Sequence, residues 1–250
     1  MVTVKATMGF VELIASLKFL SNTDIGWNLI WLPRSTMLVL TLLLLAALAL
    51  YLLGAYRLPH DGSARVGFRP GGRSLAGLLV VASMVYMSRG LGGALLHDWV
   101  EAYLPPGWYG LAAGEVDDHE LVDWRSDLEK ALVEAEANGG LVFIDFTGIF
   151  CVNCRQVENK VFRKEAFAQA VENAGVIPVQ LFTDRRDPET HDLAEEDAEN
   201  RRYMEEVFGT VTLPLYALLS PEGKILRRMP MPAMVRVDDF IDFLEDPRDP

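Results

Sequence analysis

The chain has 250 residues, a formal net charge of −12 and two cysteines. The charge is unevenly distributed, because residues 1–96 sum to +5 and residues 97–250 sum to −17. A strongly acidic surface repels phosphate backbones, so we expect no nucleic acid partner.

Two apolar segments, at about residues 36–56 and 74–96, predict transmembrane helices. Each is about long enough to cross a hydrocarbon core roughly 30 Å thick. The first contains no charged side chain, and the second contains only Arg89, near its end, where a long side chain can reach the headgroups. We therefore expect residues 1–96 to form an all-α transmembrane region.

The N-terminal segment, at about residues 4–20, is apolar but carries Lys5, Glu12 and Lys18. A signal peptide is disfavoured, because Glu12 interrupts the apolar run and no small-x-small cleavage motif follows. We expect a third membrane helix, which makes two to three in all. Glu12 would then either face other helices at membrane depth or lie in water on an interfacial helix, and both alternatives remain open.

The charges that flank these helices predict the topology. The loop Arg57–Arg73 contains four arginines and one acid, and short basic loops stay in the cytoplasm. The segment after the last helix carries Asp98 and Glu101 but no basic residue up to Trp108. We therefore expect a multi-pass inner-membrane protein in contact with lipid, a linker at residues 97–116, and a periplasmic domain at residues 117–250. Reversible disulfide chemistry is favoured in that compartment.

Residues 117–250 alternate between helical and extended patterns, which predicts an α/β domain with a crossover helix and a terminal hairpin. The predicted elements are a helix over Asp117–Asn138, a strand over Leu141–Phe146, a helix from Cys154 to about Asn173, a strand over Val176–Phe182, a helix over Leu193–Phe208, strands over Val211–Ser220 and Lys224–Met229, and a helix over Val237–Leu244.

The segment 183–200 is dense with charge, including Asp184 and Asp197. It is most simply a solvated loop that runs into the next helix. A metal site that includes His191 is the less favoured alternative.

The cysteines, Cys151 and Cys154, follow a strand and open a helix. A disulfide between positions this close closes almost no loop, so it is a poor stabilising device. Backbone N–H groups and the helix dipole stabilise a thiolate at a helix start. We expect Cys151 to face solvent as the nucleophile and Cys154, one turn inside, to be the resolving thiol.

Other uses of a C-x-x-C pair fit less well. A zinc site would need further ligands, but the chain has no second cysteine pair and its four histidines are scattered. A c-type haem site needs a histidine after the second cysteine, where this chain has Arg155. An inert structural pair is the remaining alternative. We expect no metal, and no cofactor besides the redox-active disulfide.

At these residues the soluble half resembles a thioredoxin-fold domain. Asp145, six residues before the first cysteine, stands where thioredoxins carry a buried acid. Pro214, in Thr212-Leu213-Pro214, falls where they carry a cis-proline loop against the active site. The resemblance implies that Asp145 and Pro214 act in catalysis and that Thr212 and Leu213 contact substrate. A trans proline on an edge strand is the alternative for Pro214.

The whole chain resembles the DsbD-type thiol:disulfide interchange proteins, membrane reductases that carry electrons from cytoplasmic thioredoxin to periplasmic thiols. Met8–Ile25 is similar to the start of their last three membrane helices, and FTGIFCVNCRQVE to their C-terminal periplasmic domain. Glu158, seven residues after Cys151, matches a second acid that such domains place beside the dithiol. An exposed helix acid without a role is the alternative for Glu158.

Two acids beside the dithiol have a physical consequence. Negative charge disfavours a nearby thiolate, so it makes the pair a better reductant. Asp145 can also move protons during exchange.

The chain departs from that family in two respects. Residues 1–96 contain no cysteine, so the membrane cysteine pair must come from another protein or from a missing N-terminal region. Phe150 replaces the tryptophan common before the first cysteine, which keeps an aromatic wall against substrate.

We therefore expect a membrane-anchored reductase that passes electrons from a membrane dithiol to oxidised periplasmic proteins. The alternative is a thioredoxin-like module that recruits clients during cytochrome or cofactor assembly without net turnover. An oxidase with the same chemistry is only weakly disfavoured by the two acids.

Overall fold

A computed structural model describes residues 2–59, 67, 71–107, 109–110, 121–187, 189–190, 192–230 and 235–245. The chain divides into two compact units, Met1–Gly110 and Leu111–Pro250.

The first unit is helical. Its elements are α1 (Val2–Gly26), α2 (Arg34–Leu53), α3 (Gly72–Ser88), a 3-10 turn (Arg89–Gly92) and α4 (Asp98–Tyr103). Among the described residues, two helices are long and apolar enough to be candidate membrane spans, Arg34–Leu53 and Gly72–Gly92, with mean hydropathy of 2.6 and 1.5. The first helix has 25 residues but is not among these candidates, and Glu12 lies on an exposed face of it.

Helices α2 and α3 form an antiparallel pair. At one end, a Cβ on Gly77 would lie 3.0 Å from the Leu53 side chain, so glycine permits the close approach of the helices. At the other end, a Cβ on Gly90 would lie 3.2 Å from Leu38. The end of α2 therefore meets the start of α3, and its start meets the end of α3.

Two buried carboxylates fix the loops of this unit. Asp24 accepts the backbone N–H of Trp31 at 3.0 Å and the hydroxyl of Tyr109 at 2.7 Å. Glu101, on α4 within the predicted linker, accepts from the Arg34 guanidinium at 2.8 Å. Glu101 is thus paired with a cation at the start of α2.

The second unit is a mixed α/β domain, as predicted. Its sheet has the order β2-β1-β3-β4, in which β1 and β2 are parallel and the other neighbours are antiparallel. In chain order the elements are α5 (Leu128–Asn138), β1 (Leu141–Thr147), α6 (Val152–Val157), a π-helical turn (Glu158–Phe162), α7 (Glu165–Asn173), β2 (Val176–Phe182), α8 (Glu195–Phe208), β3 (Leu215–Leu219), β4 (Ile225–Pro230) and α9 (Val237–Glu245).

The helix predicted over residues 117–138 begins later than expected. Residues 117–120 lie outside the described residues, and helix α5 starts at Leu128, where the Asp127 side chain accepts the N–H of Lys130 at 3.0 Å. Before it, the Arg125 backbone pairs with β2, donating to Pro178 at 2.9 Å. The prediction was wrong for residues 121–127. The backbone N–H and C=O of Arg125, which would bond within a helix, instead bond to the edge strand β2.

Two further boundaries differ from the prediction. The helix expected from Cys154 to Asn173 is interrupted, because the π-helical turn ends near Arg163 and Lys164 is extended before α7. The strand expected from Val211 begins only at Leu215, after Pro214, which has no N–H to donate to a ladder.

Two apolar cores lie on opposite faces of the sheet. Val142, Ile144 and Phe146 of β1 belong to the core with α5 and α8, whereas Phe143 belongs to the core with α6, α7 and α9. Side chains alternate along a strand, so Asp145 and Thr147 share the face of Phe143. The buried acid therefore lies under the helix that carries the cysteines.

Candidate active site around Cys151 and Cys154

The two cysteines are joined by a disulfide in this structure. Cys151 is the N-cap of α6, and its Sγ accepts the backbone N–H of Cys154 at 3.1 Å. Cys151 is half-buried and Cys154 is 2% exposed. The more accessible sulfur thus lies at the helix start, where a thiolate is stabilised.

The loop before Cys151 is held by an acid from a distant part of the chain. The Asp184 carboxylate accepts the backbone N–H of Ile149 at 2.7 Å and that of Phe150 at 3.2 Å. Burial raises the pKa of Asp184 above its ordinary value, and the two backbone N–H donors oppose that shift. Asp184 therefore belongs to the site.

The same segment is also anchored to α8. Asp197 is fully buried and accepts from the Arg185 backbone N–H at 2.7 Å and from its Nε at 2.9 Å. The expectation of a solvated loop was wrong for Asp184, Arg185 and Asp197. The two carboxylates accept hydrogen bonds from backbone N–H groups, and Arg185 donates to Asp197. His191 lies outside the described residues, and within those residues no cluster of potential metal ligands is present.

The Leu213–Pro214 peptide is cis, as the thioredoxin resemblance implies. Pro214 is buried, Leu213 is half-buried and Thr212 is exposed. Leu213 reaches the loop before the cysteines, because its Cδ1 would lie 2.9 Å from a Cβ on Gly148. The structure therefore brings Leu213 to this loop, which also carries the half-buried Phe150.

Asp145 is 1% exposed in the middle of β1. Its Oδ2 accepts from Gln180 Nε2 at 3.0 Å, and its Oδ1 has no hydrogen-bond partner among the described residues. Burial raises the pKa of the Asp145 carboxyl to about 7, and the Glu158 charge adds to this, whereas Gln180 and Arg155 act against it. Tyr216 stands opposite on β3, and burial raises its pKa well above the ordinary value.

Glu158 is a mostly buried acid rather than an exposed one. Its side chain is 17% exposed, and its Oε1 lies 2.6 Å from Nη2 of Arg155. The same guanidinium nitrogen donates to Thr147 Oγ1 at 3.2 Å and lies 3.4 Å from the Gly148 carbonyl oxygen. Arg155 therefore connects Glu158 to the end of β1 and to Gly148, in the loop before Cys151.

Arg155 was not predicted as a site residue, although it lies within the motif FTGIFCVNCRQVE. Its i,i+3 spacing from Glu158 is the one signal that could have indicated the pair. The pair changes the expected electrostatics, because Arg155 offsets one acid and the raised pKa leaves the other partly protonated near neutral pH. The negative charge near the dithiol is therefore smaller than two carboxylates would produce.

Residues 123–221 match the family model described as thioredoxin-like. No curated protein sequence matches the chain.

Several solved structures are similar to part of the chain. DsbH oxidoreductase has 15% identity over 54% of this chain and 94% of that chain, with a TM-score of 0.41. A thioredoxin from Thermus thermophilus has 17% identity over 49% of this chain and 84% of that chain, with a TM-score of 0.38. The oxidised C-terminal domain of Neisseria meningitidis DsbD has 19% identity over 50% of this chain and 100% of that chain, with a TM-score of 0.37.

The match to the family model identifies the α/β unit as a thioredoxin-like domain, preceded by helices of which two are candidate membrane spans. A thioredoxin-like fold that carries a disulfide-bonded cysteine pair has the arrangement of a thiol-disulfide oxidoreductase.

Proposed function

We propose that the chain is a membrane-anchored thiol:disulfide reductase that acts on oxidised periplasmic proteins. The observation that carries this proposal is the position of Cys151. It is the accessible partner in a disulfide with buried Cys154 and begins a helix. It also follows a loop whose Gly148 contacts the segment that contains cis Pro214.

The exchange needs two thiol steps. The Cys151 thiolate attacks a client disulfide, forming a mixed disulfide while one client sulfur leaves as a thiolate and takes up a proton. Cys154, once deprotonated, attacks the Cys151 sulfur and releases the second client thiolate. Two electrons pass to the client, and the chain ends with the Cys151–Cys154 disulfide.

Asp145 suits the proton transfer that accompanies the second step. A group with a pKa of about 7 exchanges a proton in either direction at neutral pH. We therefore include Asp145 in the proposal as a proton carrier. We also include Glu158 as an acid that tunes the redox balance of the cysteine pair and is offset by Arg155.

Phe150, Thr212 and Leu213 provide the client-facing surface in the proposal. Thr212 is exposed, and the other two side chains are half-buried near Gly148. An extended client segment would lie across them beside Cys151.

The reduced pair must be regenerated by another dithiol. The chain's only cysteines are those of the pair, so the donor is a membrane cysteine pair outside this chain. The candidate spans and the arginine-rich loop between them support an inner-membrane anchor with the thioredoxin-like domain on the periplasmic side.

Cys154→Ala tests the proposal, because it stops the reaction after the first step. In cells that express the full chain, this variant should accumulate mixed disulfides with client proteins, seen as adducts that a reductant removes. Cys151→Ala is the matched control and should accumulate none. Absence of adducts in Cys154→Ala would contradict the assigned function, and reduction of insulin by the wild-type chain would exclude a module without turnover.

A further inference from the structure

The loop Gly148–Phe150 leads directly into Cys151, and its backbone is fixed from outside. Both oxygens of Asp184 are used, one for the N–H of Ile149 and the other for the N–H of Phe150. Asp184 lies beyond the end of β2, so this acid ties the sequence before the nucleophile to the neighbouring strand.

The space around the carboxylate is closely fitted. A Cβ on Gly148 would lie 2.5 Å from Asp184 Oδ2 and 2.9 Å from Leu213 Cδ1. Only glycine allows Asp184, the loop and the Leu213 side chain to pack at this distance.

The residue after Asp184 is held by a buried carboxylate. Arg185 is bound through the backbone N–H and the guanidinium to Asp197, which is fully buried at the start of α8. The backbone next to Asp184 is therefore anchored to α8 independently of the loop that Asp184 binds.

We propose that Asp184 is a positioning residue for the dithiol, which holds the Gly148–Phe150 loop so that Cys151 stays within reach of Cys154. The inference rests on the proposed function only in treating the two cysteines as a redox pair.

Two physical effects of removing the Asp184 carboxylate act in the same direction. A looser loop lowers the effective concentration of one thiol toward the other, which disfavours the disulfide. Loss of a negative charge near the pair favours a thiolate, which stabilises the reduced form. Both effects make the dithiol a weaker reductant.

The test is the equilibrium of the full chain with glutathione, in which the protein disulfide and two glutathiones exchange with the protein dithiol and glutathione disulfide. Asp184→Ala should lower the equilibrium constant for disulfide formation at least tenfold, equivalent to about 30 mV. Asp184→Asn keeps one acceptor oxygen and should show a smaller change in the same direction. If the alanine variant does not fold, the asparagine variant decides the result.

Asp192→Asn is the matched control, since it removes the same charge from an exposed site in the same segment. Amide hydrogen exchange at Ile149 and Phe150 should accelerate in the Asp184 variants and not in the control. An equilibrium constant equal to that of the control, or higher, would overturn the proposal, because a role limited to fold stability does not alter the redox equilibrium of folded molecules. The measurement is independent of any client, so it can succeed even where Cys154→Ala traps none.

Discussion

Arg155 and Glu158 form an ion pair inside the thioredoxin-like domain, with Nη2 and Oε1 2.6 Å apart and side chains 7% and 17% exposed. The pair begins immediately after Cys154 and contacts Thr147 on β1. The charged groups around the dithiol therefore include three acids, Asp145, Glu158 and Asp184, and the buried cation Arg155.

Replacing the cation should be costly for the fold. Arg155→Met would leave the Glu158 carboxylate buried without its guanidinium, and breaking such a pair lowers the free energy of unfolding by about 3–5 kcal/mol. The double variant Arg155→Met/Glu158→Gln should recover most of this loss. Denaturant unfolding of the full chain measures the free energy of unfolding of the wild type, the single variant and the double variant.

Arg236→Met provides the matched control, because Arg236 and Asp239 form an i,i+3 pair at an exposed site. An exposed pair contributes less than about 1 kcal/mol. If Arg155→Met proved no more destabilising than Arg236→Met, the buried pair would have no special role in stability.

Asp145 should make stability depend on pH. Its pKa is about 7 in the folded chain against an ordinary value of 3.8, so the folded state binds the proton more tightly than the unfolded state. The favourable contribution is complete below about pH 4 and is lost as the pH rises through about 7. The loss amounts to up to ~4 kcal/mol at about 1.4 kcal/mol per pKa unit.

Asp145→Asn should remove this dependence. Thermal unfolding of the oxidised chain at pH 5 and pH 8.5 should show a smaller pH effect in Asp145→Asn than in the wild type or in Asp192→Asn. Identical pH profiles for all three proteins would show that Asp145 does not titrate in the expected range.

Gly148→Ala should impair exchange. The added Cβ would collide with the Asp184 carboxylate and the Leu213 side chain, and such overpacking costs about 1–3 kcal/mol. We expect the rate of insulin reduction to fall at least tenfold. Gly72→Ala is the control, since no described atom lies within 4 Å of its Cβ position, and an equal effect of both substitutions would argue against the steric explanation.

Much of the domain could be predicted because its signals are local. Apolar runs gave the strand Val176–Phe182 at its observed ends. The apolar strand before Cys151 and the helical pattern after it placed Cys151 at a helix start. The motif around Pro214 indicated the cis peptide through resemblance, since no local pattern of side chains requires it.

The remaining parts depend on contacts between segments far apart in the chain. Asp184 binds a loop about 35 residues earlier, so its place in a charge-rich segment gave no sign of that role. Arg125 lies in an apparently helical pattern, but its backbone pairs with the edge of β2. Tertiary hydrogen bonds of this kind leave no periodic trace in a sequence.

The proposed topology predicts which regions an external reagent can reach. In a Cys151→Ala/Cys154→Ala background, Thr190→Cys should react with a membrane-impermeant maleimide in spheroplasts. Ser63→Cys, in the arginine-rich loop, should react only after the membrane is permeabilised. The opposite pattern would place the thioredoxin-like domain in the cytoplasm.

The most direct test of the reductase function is the reduction potential of the Cys151–Cys154 pair in the full chain, measured against glutathione. The proposed flow of electrons from this chain to its clients predicts a potential close to that of thioredoxin, about −270 mV. A potential between about −180 and −120 mV, the range of disulfide isomerases and oxidases, would contradict electron flow from this chain to its clients.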